Sequence, residues 1–127
     1  MAPKIAVLGA TSMVGREILA IMAERGIPAE TVTALASRKV LGAEVSYGDA
    51  SLRTKDADDF DYAKIDICIM ATGDAPARKY GNVIAAAGCV VIDTSRAFRM
   101  DPQVPLVVPE VNADAIEGYA RRNIVAV

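Results

Sequence analysis

The chain has 127 residues, the size of one domain, and 53% of them are hydrophobic, which is enough for a sizeable core. Its net charge of −2 provides no general electrostatic attraction to nucleic acid or to an anionic membrane. With two cysteines and no histidine, the chain contains none of the common zinc constellations, no Ser–His or Cys–His catalytic pair and no imidazole proton shuttle.

The first predicted element is an apolar strand over residues 5–8, which runs into a small-residue turn over 9–15 and then into a helix. Val14, Ile18 and Met22, with Leu19 and Ile21 beside them, predict the apolar stripe of that helix, which should end at the Gly and Pro of residues 25–28. A strand, a tight turn and a helix start, in this order, can hold a phosphate against backbone N–H groups.

The rest of the chain continues this alternation of strands and helices. We predict strands over 31–36, 65–71, 89–92 and 124–127, a hairpin of 44–47 and 51–54, and helices over about 74–87 and 112–119. Asp74 and Asn112 are the predicted N-caps of these two helices. The acidic residues of 56–61 are expected in a solvated loop rather than a cation site. The predicted fold class is α/β, with a Rossmann-like, doubly wound and mostly parallel sheet.

The turn over 9–15 fits dinucleotide binding, although an ordinary strand–loop–helix would also use small residues. Gly9 can supply the tight bend and Gly15 the close packing of helix on strand. Ser12 occupies the middle glycine position and could donate its N–H and its hydroxyl to a phosphate. These properties favour a nucleotide site.

A second clue lies at the end of the second predicted strand, where NAD-binding versions carry an acidic residue for the ribose 2′-hydroxyl. Here the chain has Ser37, Arg38 and Lys39. Basic side chains neutralise a 2′-phosphate that a carboxylate would repel. Two adjacent basic residues are commonly solvated surface, but their position relative to the turn favours NADP.

Two arginines follow the predicted strand over 89–92. Arg96 and Arg99 lie where ligands bind in open α/β sheets, so they could hold an anionic substrate group or form a surface ion pair. Cys68 and Cys89 fall within apolar strand patterns, which predicts buried structural thiols rather than nucleophiles.

Several segments, in this order along the chain, resemble the aspartate-semialdehyde dehydrogenase family. They are Gly-Ala-Thr-Ser-Met-Val-Gly-Arg-Glu at 9–17, Leu-Ala-Ser-Arg-Lys at 35–39, Val-Ile-Asp-Thr-Ser-Arg-Ala-Phe-Arg-Met-Asp-Pro at 91–102 and Val-Val-Pro-Glu-Val-Asn at 107–112. The resemblance implies NADPH-dependent reduction of aspartyl 4-phosphate to aspartate semialdehyde with release of phosphate, on the route to lysine, methionine and threonine. In the family, a Cys thiolate attacks the acyl phosphate and the resulting thioacyl enzyme accepts hydride from the nicotinamide.

The resemblance also implies roles for individual residues. Thr11, Ser12, Met13 and Val14 match the family's pyrophosphate turn, and Arg99 matches the arginine that binds the substrate phosphate. The remaining implied cofactor contacts are Lys39 and Val40, where the family usually has Arg-Ser for the 2′-phosphate, the neighbouring Arg38, and the small-residue turn Thr72 and Gly73.

Four positions depart from the family pattern: Ser12 replaces a usual Gly, Val40 a usual Ser, and Thr94 and Arg96 stand where Asn-Ser-Ser is typical. The family's Asn-Pro-Asn-Cys run is expected to begin near Val127, so we expect residues 1–127 to be an NADP-binding domain truncated before the catalytic Cys, the base His and the substrate and dimerisation domain. The chain alone is then expected to be inactive.

Two other functions remain open at this stage. One is a reductase with the same acyl-phosphate chemistry, such as an N-acetyl-glutamyl-phosphate reductase, and the other is a non-catalytic nucleotide-binding module. The expected partners are the small-molecule substrate, phosphate and, at full length, a second copy in a homodimer, with no nucleic acid and no membrane. The predicted compartment is the reducing cytoplasm, because neither a signal peptide nor an apolar run long enough to span a bilayer is found.

Overall fold

The computed structural model describes residues 3–40 and 42–127, with the side chain of Arg38 left out. In chain order, the strands and helices of this part are β1 (Ile5–Leu8), α1 (Met13–Glu24), β2 (Val32–Ala36), β3 (Glu44–Tyr47), β4 (Ala50–Arg53), β5 (Lys55–Asp56), β6 (Ile67–Met70), α2 (Asp74–Ala86), β7 (Val90–Asp93), α3 (Pro109–Asn112) and β8 (Ile124–Ala126). Short 3-10 turns fill several connections, including Arg38–Val40, Ala57–Asp59 and Tyr62–Lys64.

Five predicted strands form a sheet, which β5, a strand that the sequence does not predict, joins at one edge. These six strands pair in the order β5-β2-β1-β6-β7-β8, and every pair in this sheet is parallel. β3 and β4 form a separate antiparallel hairpin, as the sequence predicts. The α/β, Rossmann-like fold class is therefore confirmed, with strand ends that differ from the predicted ones by one or two residues.

The central strand β1 is buried on both faces, so its side chains alternate between two cores. Ile5 and Val7 pack on the side of α1 and the β3–β4 hairpin, while Ala6 and Leu8 pack on the side of α2. Helices on both faces require strands that are apolar at every position, and all four residues of β1 are buried.

The buried stripe of α1 differs from the predicted one. Its buried residues are Gly15, Leu19 and Met22, whereas Val14 and Ile21 are exposed. The helix is therefore rotated so that Gly15 faces the sheet, where only a residue without a side chain fits.

The predicted N-cap of α2 is wrong, whereas Asn112 does hold the N-cap position of the predicted helix over 112–119, which is the 3-10 helix Ala113–Arg121. Gly73 caps α2, and the Asp74 carboxylate instead accepts the backbone N–H of Arg96 at 2.7 Å, which ties the start of α2 to the loop after β7. Asn112 makes no side-chain cap hydrogen bond. Its amide oxygen accepts from the N–H of Val108 and its amide nitrogen donates to the carbonyl of Leu106.

The acidic stretch is solvated as predicted, since Asp58, Asp59 and Asp61 are exposed, but β5 and two 3-10 turns order it. Asp56 and Asp61 cap 3-10 turns by accepting the N–H groups of Asp58 and Ala63, respectively. Asp58 accepts the hydroxyl of Tyr80. No group of side chains in residues 3–40 and 42–127 has the composition to hold a metal ion.

At the β8 edge, the sheet is covered by a neighbouring segment of the same chain. The N–H of Ala126 donates to the carbonyl of Pro105, and the N–H of Val107 donates to the carbonyl of Ala126. All three residues of β8 are buried. Among the helices that the structure describes, none is both long and apolar enough to cross a membrane.

Candidate functional site

An open cleft of about 470 Å³ lies at the carboxyl ends of β1, β2 and β6. In parallel sheets this edge is where ligands bind, since the connecting loops there converge. The cleft is lined by Gly9, Thr11, Ala36, Ser37, Ala57, Thr72, Ala75, Pro76, Lys79 and Tyr80. Four of these, Gly9, Thr11, Ser37 and Thr72, are predicted site residues from three separate segments.

The turn over 9–15 is shaped by two glycines that cannot carry a side chain. Gly9 has φ +83°, and a Cβ added there would lie 2.5 Å from the carbonyl oxygen of Ala71. At Gly15, an added Cβ would lie 2.1 Å from the carbonyl oxygen of Gly9. The turn therefore packs backbone against backbone, and α1 starts directly against the end of β1.

Ser12 acts as the N-cap of α1. Its Oγ accepts the N–H of Gly15 at 3.0 Å and lies 2.7 Å and 3.1 Å from the carbonyl oxygens of Gly9 and Ala71, to which the hydroxyl donates. Its own N–H donates to Gly9. Contrary to expectation, both donors of Ser12 are thus used inside the turn, and Ser12 shapes the site rather than offering these groups to a phosphate.

Ser12 also explains why no glycine is needed at this position. Its backbone has φ −72° and ψ 164°, which any residue adopts. A serine at the middle position is therefore compatible with an intact turn, and it adds the cap hydrogen bond that glycine lacks.

The first N–H groups of α1 are available to a ligand. In the described part of the chain, no hydrogen-bond partner accepts from the N–H of Met13 or Val14. Their side chains point to solvent, with 89% of Met13 and 52% of Val14 exposed. These residues can therefore bind a phosphate only through the backbone, at the positive end of a twelve-residue helix.

The predicted 2′-phosphate residues form the turn that follows β2. Ser37 lines the cleft, and Lys39 and Val40 are exposed beside it in the 3-10 turn Arg38–Val40. The side chain of Arg38 lies outside the described part of the structure. The structure therefore places Ser37 in the cleft and Lys39 on the exposed turn that follows it.

The other wall of the cleft comes from the β6–α2 junction and was only partly predicted. Thr72 lines the cleft, whereas Gly73 is exposed and caps α2. Sequence reasoning missed Ala57, Pro76, Lys79 and Tyr80. The helical spacing of Pro76 and Tyr80 on α2, one turn apart just after a strand end, is a signal that could have identified this wall.

Tyr80 and Lys79 belong to a polar cluster with Asp58. The Tyr80 hydroxyl donates to Asp58 at 2.6 Å, Lys79 Nζ lies 3.5 Å from the same carboxylate oxygen, and Lys79 Nζ lies 4.9 Å from the centre of the Tyr80 ring. Burial and the hydrogen bond to Asp58 raise the pKa of the Tyr80 hydroxyl.

The structure places Arg99 outside the cleft. Its guanidinium donates to the carbonyls of Thr94 at 3.4 Å and Val127 at 2.9 Å, at the carboxyl ends of β7 and β8. Arg99 Nε is buried without a partner among the described residues. The side chain of Arg96 is exposed, and its backbone N–H is bound by Asp74.

Neither cysteine has the properties of a nucleophile. Cys68 and Cys89 are both fully buried free thiols. Burial raises the pKa of Cys68, and it raises the pKa of Cys89 to about 11. A thiol in this state is almost entirely protonated at neutral pH, which agrees with the predicted structural role.

These features fit one end of a dinucleotide. A cradle that a Cβ would fill, unpaired helix N–H groups and a cleft beside them provide for a pyrophosphate and an adjoining nucleoside. The apolar surface of Pro76 and Tyr80 is suited to a flat base.

Comparison with known proteins gives a consistent result. The protein family described as semialdehyde dehydrogenase, NAD binding domain, matches residues 4–119. Aspartate-semialdehyde dehydrogenase of Rickettsia conorii is 43% identical over 122 residues, which are 96% of this chain and 36% of the relative. The chain thus spans about a third of the length of the curated relatives it matches.

Solved structures agree with this similarity. The structure of aspartate semialdehyde dehydrogenase II from Vibrio cholerae complexed with ASA superposes with a TM-score of 0.93 at 35% identity, over 99% of this chain and 41% of that one. Aspartate semialdehyde dehydrogenase with NADP from Candida albicans has a TM-score of 0.79 at 18% identity, over 100% of this chain and 42% of that one, and shows the same fold.

Proposed function

The chain belongs to the family of semialdehyde dehydrogenase NAD-binding domains, and from this premise we propose that it is the NADP-binding domain of an aspartate-semialdehyde dehydrogenase. The chain spans about a third of the length of its curated relatives, so the catalytic activity of the full-length enzyme is likewise a proposal. The observation that carries it is the turn over 9–15, which opens into the cleft.

The residues of the turn support nucleotide binding through their backbone. Gly9 and Gly15 let the chain bend tightly, and the N–H groups of Met13 and Val14, which have no acceptor among the described residues, lie in the first turn of α1, where a pyrophosphate could bind. Thr11 and Thr72 line the same cleft. An adenosine in the cleft would contact Pro76 and Tyr80, while Ser37 would lie near its ribose.

The choice of NADP over NAD is supported by the turn after β2. The residue that directly follows β2 is Ser37, and the exposed Lys39 lies two residues further. A serine there does not repel a 2′-phosphate, and a lysine attracts it. Arg38 is a second basic residue in the sequence of this turn.

Titration calorimetry tests the cofactor choice. We expect NADP to bind this chain more tightly than NAD, and we expect Arg38→Ala plus Lys39→Ala to remove the difference. The matched control is Lys4→Ala plus Arg25→Ala, which deletes the same charge before β1 and after α1, at the opposite edge of the sheet. Equal affinities for both cofactors in the unmutated protein would overturn the NADP assignment.

The proposed reaction of the full-length enzyme is the reductive dephosphorylation of aspartyl 4-phosphate to aspartate semialdehyde, in lysine, methionine and threonine biosynthesis. When bound, NADPH supplies the hydride for this reduction. In this chain, Arg99 is the proposed contact for the substrate phosphate, and its Nε has no partner among the described residues. The proposed setting is the cytoplasm, and the proposed assembly is a homodimer of the full-length protein.

The chain alone is proposed to be inactive. It has no histidine, and both of its cysteines are buried with raised pKa values, so neither a base nor a thiolate of the required kind is supplied by these residues. An assay for phosphate-dependent oxidation of aspartate semialdehyde with NADP should therefore show no turnover with this chain. Measurable turnover that depends on the chain's concentration would contradict this.

A further inference from the structure

The wall of the cleft opposite Ser37 carries a cation that the predicted cofactor residues do not include. Lys79 lines the cleft together with Tyr80, and its side chain is 65% exposed. It lies on α2, at least forty residues from the Ser37–Lys39 turn in sequence. Lys79 can contact the same part of a ligand as Ser37 and Lys39 only if its ammonium lies at the Ser37 end of the cleft.

The pairing of β2 with β5 shows which segment lies beside Ser37. These strands are parallel neighbours, with Leu35 opposite Lys55 and Ala36 opposite Asp56. One residue further on, Ser37 and Ala57 both line the cleft. Since paired strands lie about 4.8 Å apart, the turn that begins at Ala57 is beside the turn that begins at Ser37.

Asp58 holds the ammonium of Lys79 at this end of the cleft. Asp58 lines a smaller hollow of about 230 Å³, which shares Ala57, Lys79 and Tyr80 with the cleft. Lys79 Nζ is 3.5 Å from Asp58 Oδ1 and 4.9 Å from the centre of the Tyr80 ring. The Lys79 ammonium therefore lies next to the residue that follows Ala57, and Ala57 is on the side of the cleft that Ser37 lines.

Lys79 is also restrained more than a free surface lysine. The Tyr80 hydroxyl donates to the same Asp58 oxygen at 2.6 Å, which keeps the carboxylate in place. The hydrogen bond to Tyr80, followed by the charge of Asp58, raises the pKa of Lys79, so it stays charged at neutral pH. An exposed cation held in one position loses less side-chain entropy on binding an anion.

From this arrangement, we propose that Lys79 is a second cationic contact for the ribose 2′-phosphate of the cofactor, acting from the wall opposite Ser37 and Lys39. This inference rests on the proposed nucleotide site and adds a specificity-determining residue to it. It also accounts for a feature of the turn after β2, where Val40 takes the place of a polar residue: part of the phosphate contact comes from α2 instead.

The test uses two small ligands that differ only in the group of interest. Adenosine 2′,5′-bisphosphate carries the 2′-phosphate, and adenosine 5′-monophosphate does not. We expect Lys79→Met to weaken binding of the bisphosphate to this chain by about fivefold, the order of magnitude for an exposed charge pair, and to leave the monophosphate unchanged. Lys79→Arg keeps the charge and should retain most of the discrimination.

Arg78→Met is the matched control, because it removes a positive charge one residue away on the same helix from an exposed side chain that does not line the cleft. It should leave the ratio of the two affinities unchanged. A thermal unfolding curve for each variant verifies that the fold is intact.

The outcomes separate this inference from the proposed function. If the unmutated chain binds neither ligand and neither NADP nor NAD, both are overturned. If it binds them and Lys79→Met weakens both ligands equally, or neither, only the role of Lys79 is overturned. The same holds if Arg78→Met changes the ratio as much as Lys79→Met does, because the effect is then one of general charge.

Discussion

Two regions at the carboxyl edge of the sheet are built in different ways. The phosphate turn, residues 9–15, is held by contacts between backbone atoms, with Gly9 and Gly15 each too close to a carbonyl oxygen to carry a Cβ. The arginine loop, residues 94–108, is held mainly by side chains, including the ion pair of Arg122 with Asp101 at 2.7 Å and the Asp74 carboxylate that accepts the backbone N–H of Arg96.

The phosphate turn therefore depends on shape, and the arginine loop depends on charged and polar side chains. Close contacts between backbone atoms fix the geometry of the phosphate turn, so we expect the turn to have this shape without a ligand. A substitution that breaks one of these contacts should disrupt the whole turn. The position of Arg99 depends on two carbonyl oxygens, and one of its nitrogens has no partner in the described structure. We therefore expect the arginine loop to respond to anions and the phosphate turn to respond to changes in volume.

The largest expected effect comes from adding one methyl group to the phosphate turn. Gly15→Ala places a Cβ 2.1 Å from the carbonyl oxygen of Gly9, so α1 must move away from β1. We expect a loss of about 3 kcal/mol or more in the free energy of unfolding, measured by urea denaturation. The control is Gly26→Ala, where φ is +78° but no atom lies within 4 Å, and which should cost about 1–2 kcal/mol. Equal losses at both positions would show that the turn is not sterically fixed.

The reactivity of the buried Cys89 thiol reports whether a substitution in the phosphate turn or in the arginine loop opens the core of the protein. Folding raises the pKa of Cys89 from 9.0 to about 11, which leaves roughly 100-fold less thiolate at pH 8 and predicts correspondingly slow alkylation by iodoacetamide. Alkylation should accelerate in Gly15→Ala and remain slow in Arg99→Met.

The same pKa shift gives the direction of a pH effect. The folded state holds the Cys89 proton more tightly than the unfolded state, so this contribution to stability is complete below pH 9.0 and is lost as the pH rises towards about 11. Urea unfolding at pH 8 and at pH 10 should show the decrease, and Cys89→Ala should make it smaller. Fast alkylation of the native protein at pH 8 would contradict the buried assignment.

Binding of inorganic phosphate tests whether the positive charge of the arginine loop forms an anion site. If Arg99 contributes an anion site, phosphate at ten times its dissociation constant adds about 1.4 kcal/mol to the free energy of unfolding. Arg99→Met should remove this increment, while Arg96→Met, on an exposed side chain of the same loop, should keep it. Chloride at matched ionic strength controls for screening, and an increment that survives Arg99→Met would assign the phosphate to another site.

The smallest expected effect concerns the Ser12 cap. Ser12→Ala removes the side chain that accepts from Gly15 and should cost about 1 kcal/mol, seen as a lower midpoint of thermal unfolding. Ser12→Gly should cost only a few tenths of a kcal/mol. A larger loss for Gly than for Ala would mean that the Ser12 backbone, not its hydroxyl, determines the stability of the turn.

The sequence was sufficient for five of the six strands of the sheet because these are rich in apolar residues and separated by clear stop signals, but not for β5, which consists of Lys55 and Asp56. The strand over 5–8 and the hairpin after β2 depend on local patterns of this kind, and both are confirmed. The cap of α2 was not predictable in the same way. Asp74 precedes Pro76 as an N-cap would, but its carboxylate binds the N–H of Arg96, which lies 22 residues away in the sequence.

The same distinction applies to the candidate site. Residues that act through the backbone, such as Gly9, leave a motif in the sequence that can be recognised. The helical spacing of Pro76 and Tyr80 is a weaker signal, and Lys79 leaves none, because its place beside Ala57 depends on the pairing of β5 with β2 and on a carboxylate from another segment. The stripe of α1 was misjudged since Gly15, which carries no hydrophobic side chain, faces the sheet and exposes Val14.

The cover over β8 has a consequence for how the protein behaves at high concentration. An open strand edge offers unpaired N–H and carbonyl groups to other molecules and promotes aggregation. Here Pro105 and Val107 already occupy hydrogen-bonding positions along β8, and at the opposite side of the sheet β5 is only two residues long. A sheet ended in this manner presents little template for edge-to-edge association, so we expect concentrated solutions to resist the formation of β-rich aggregates as long as the 105–107 segment stays in place.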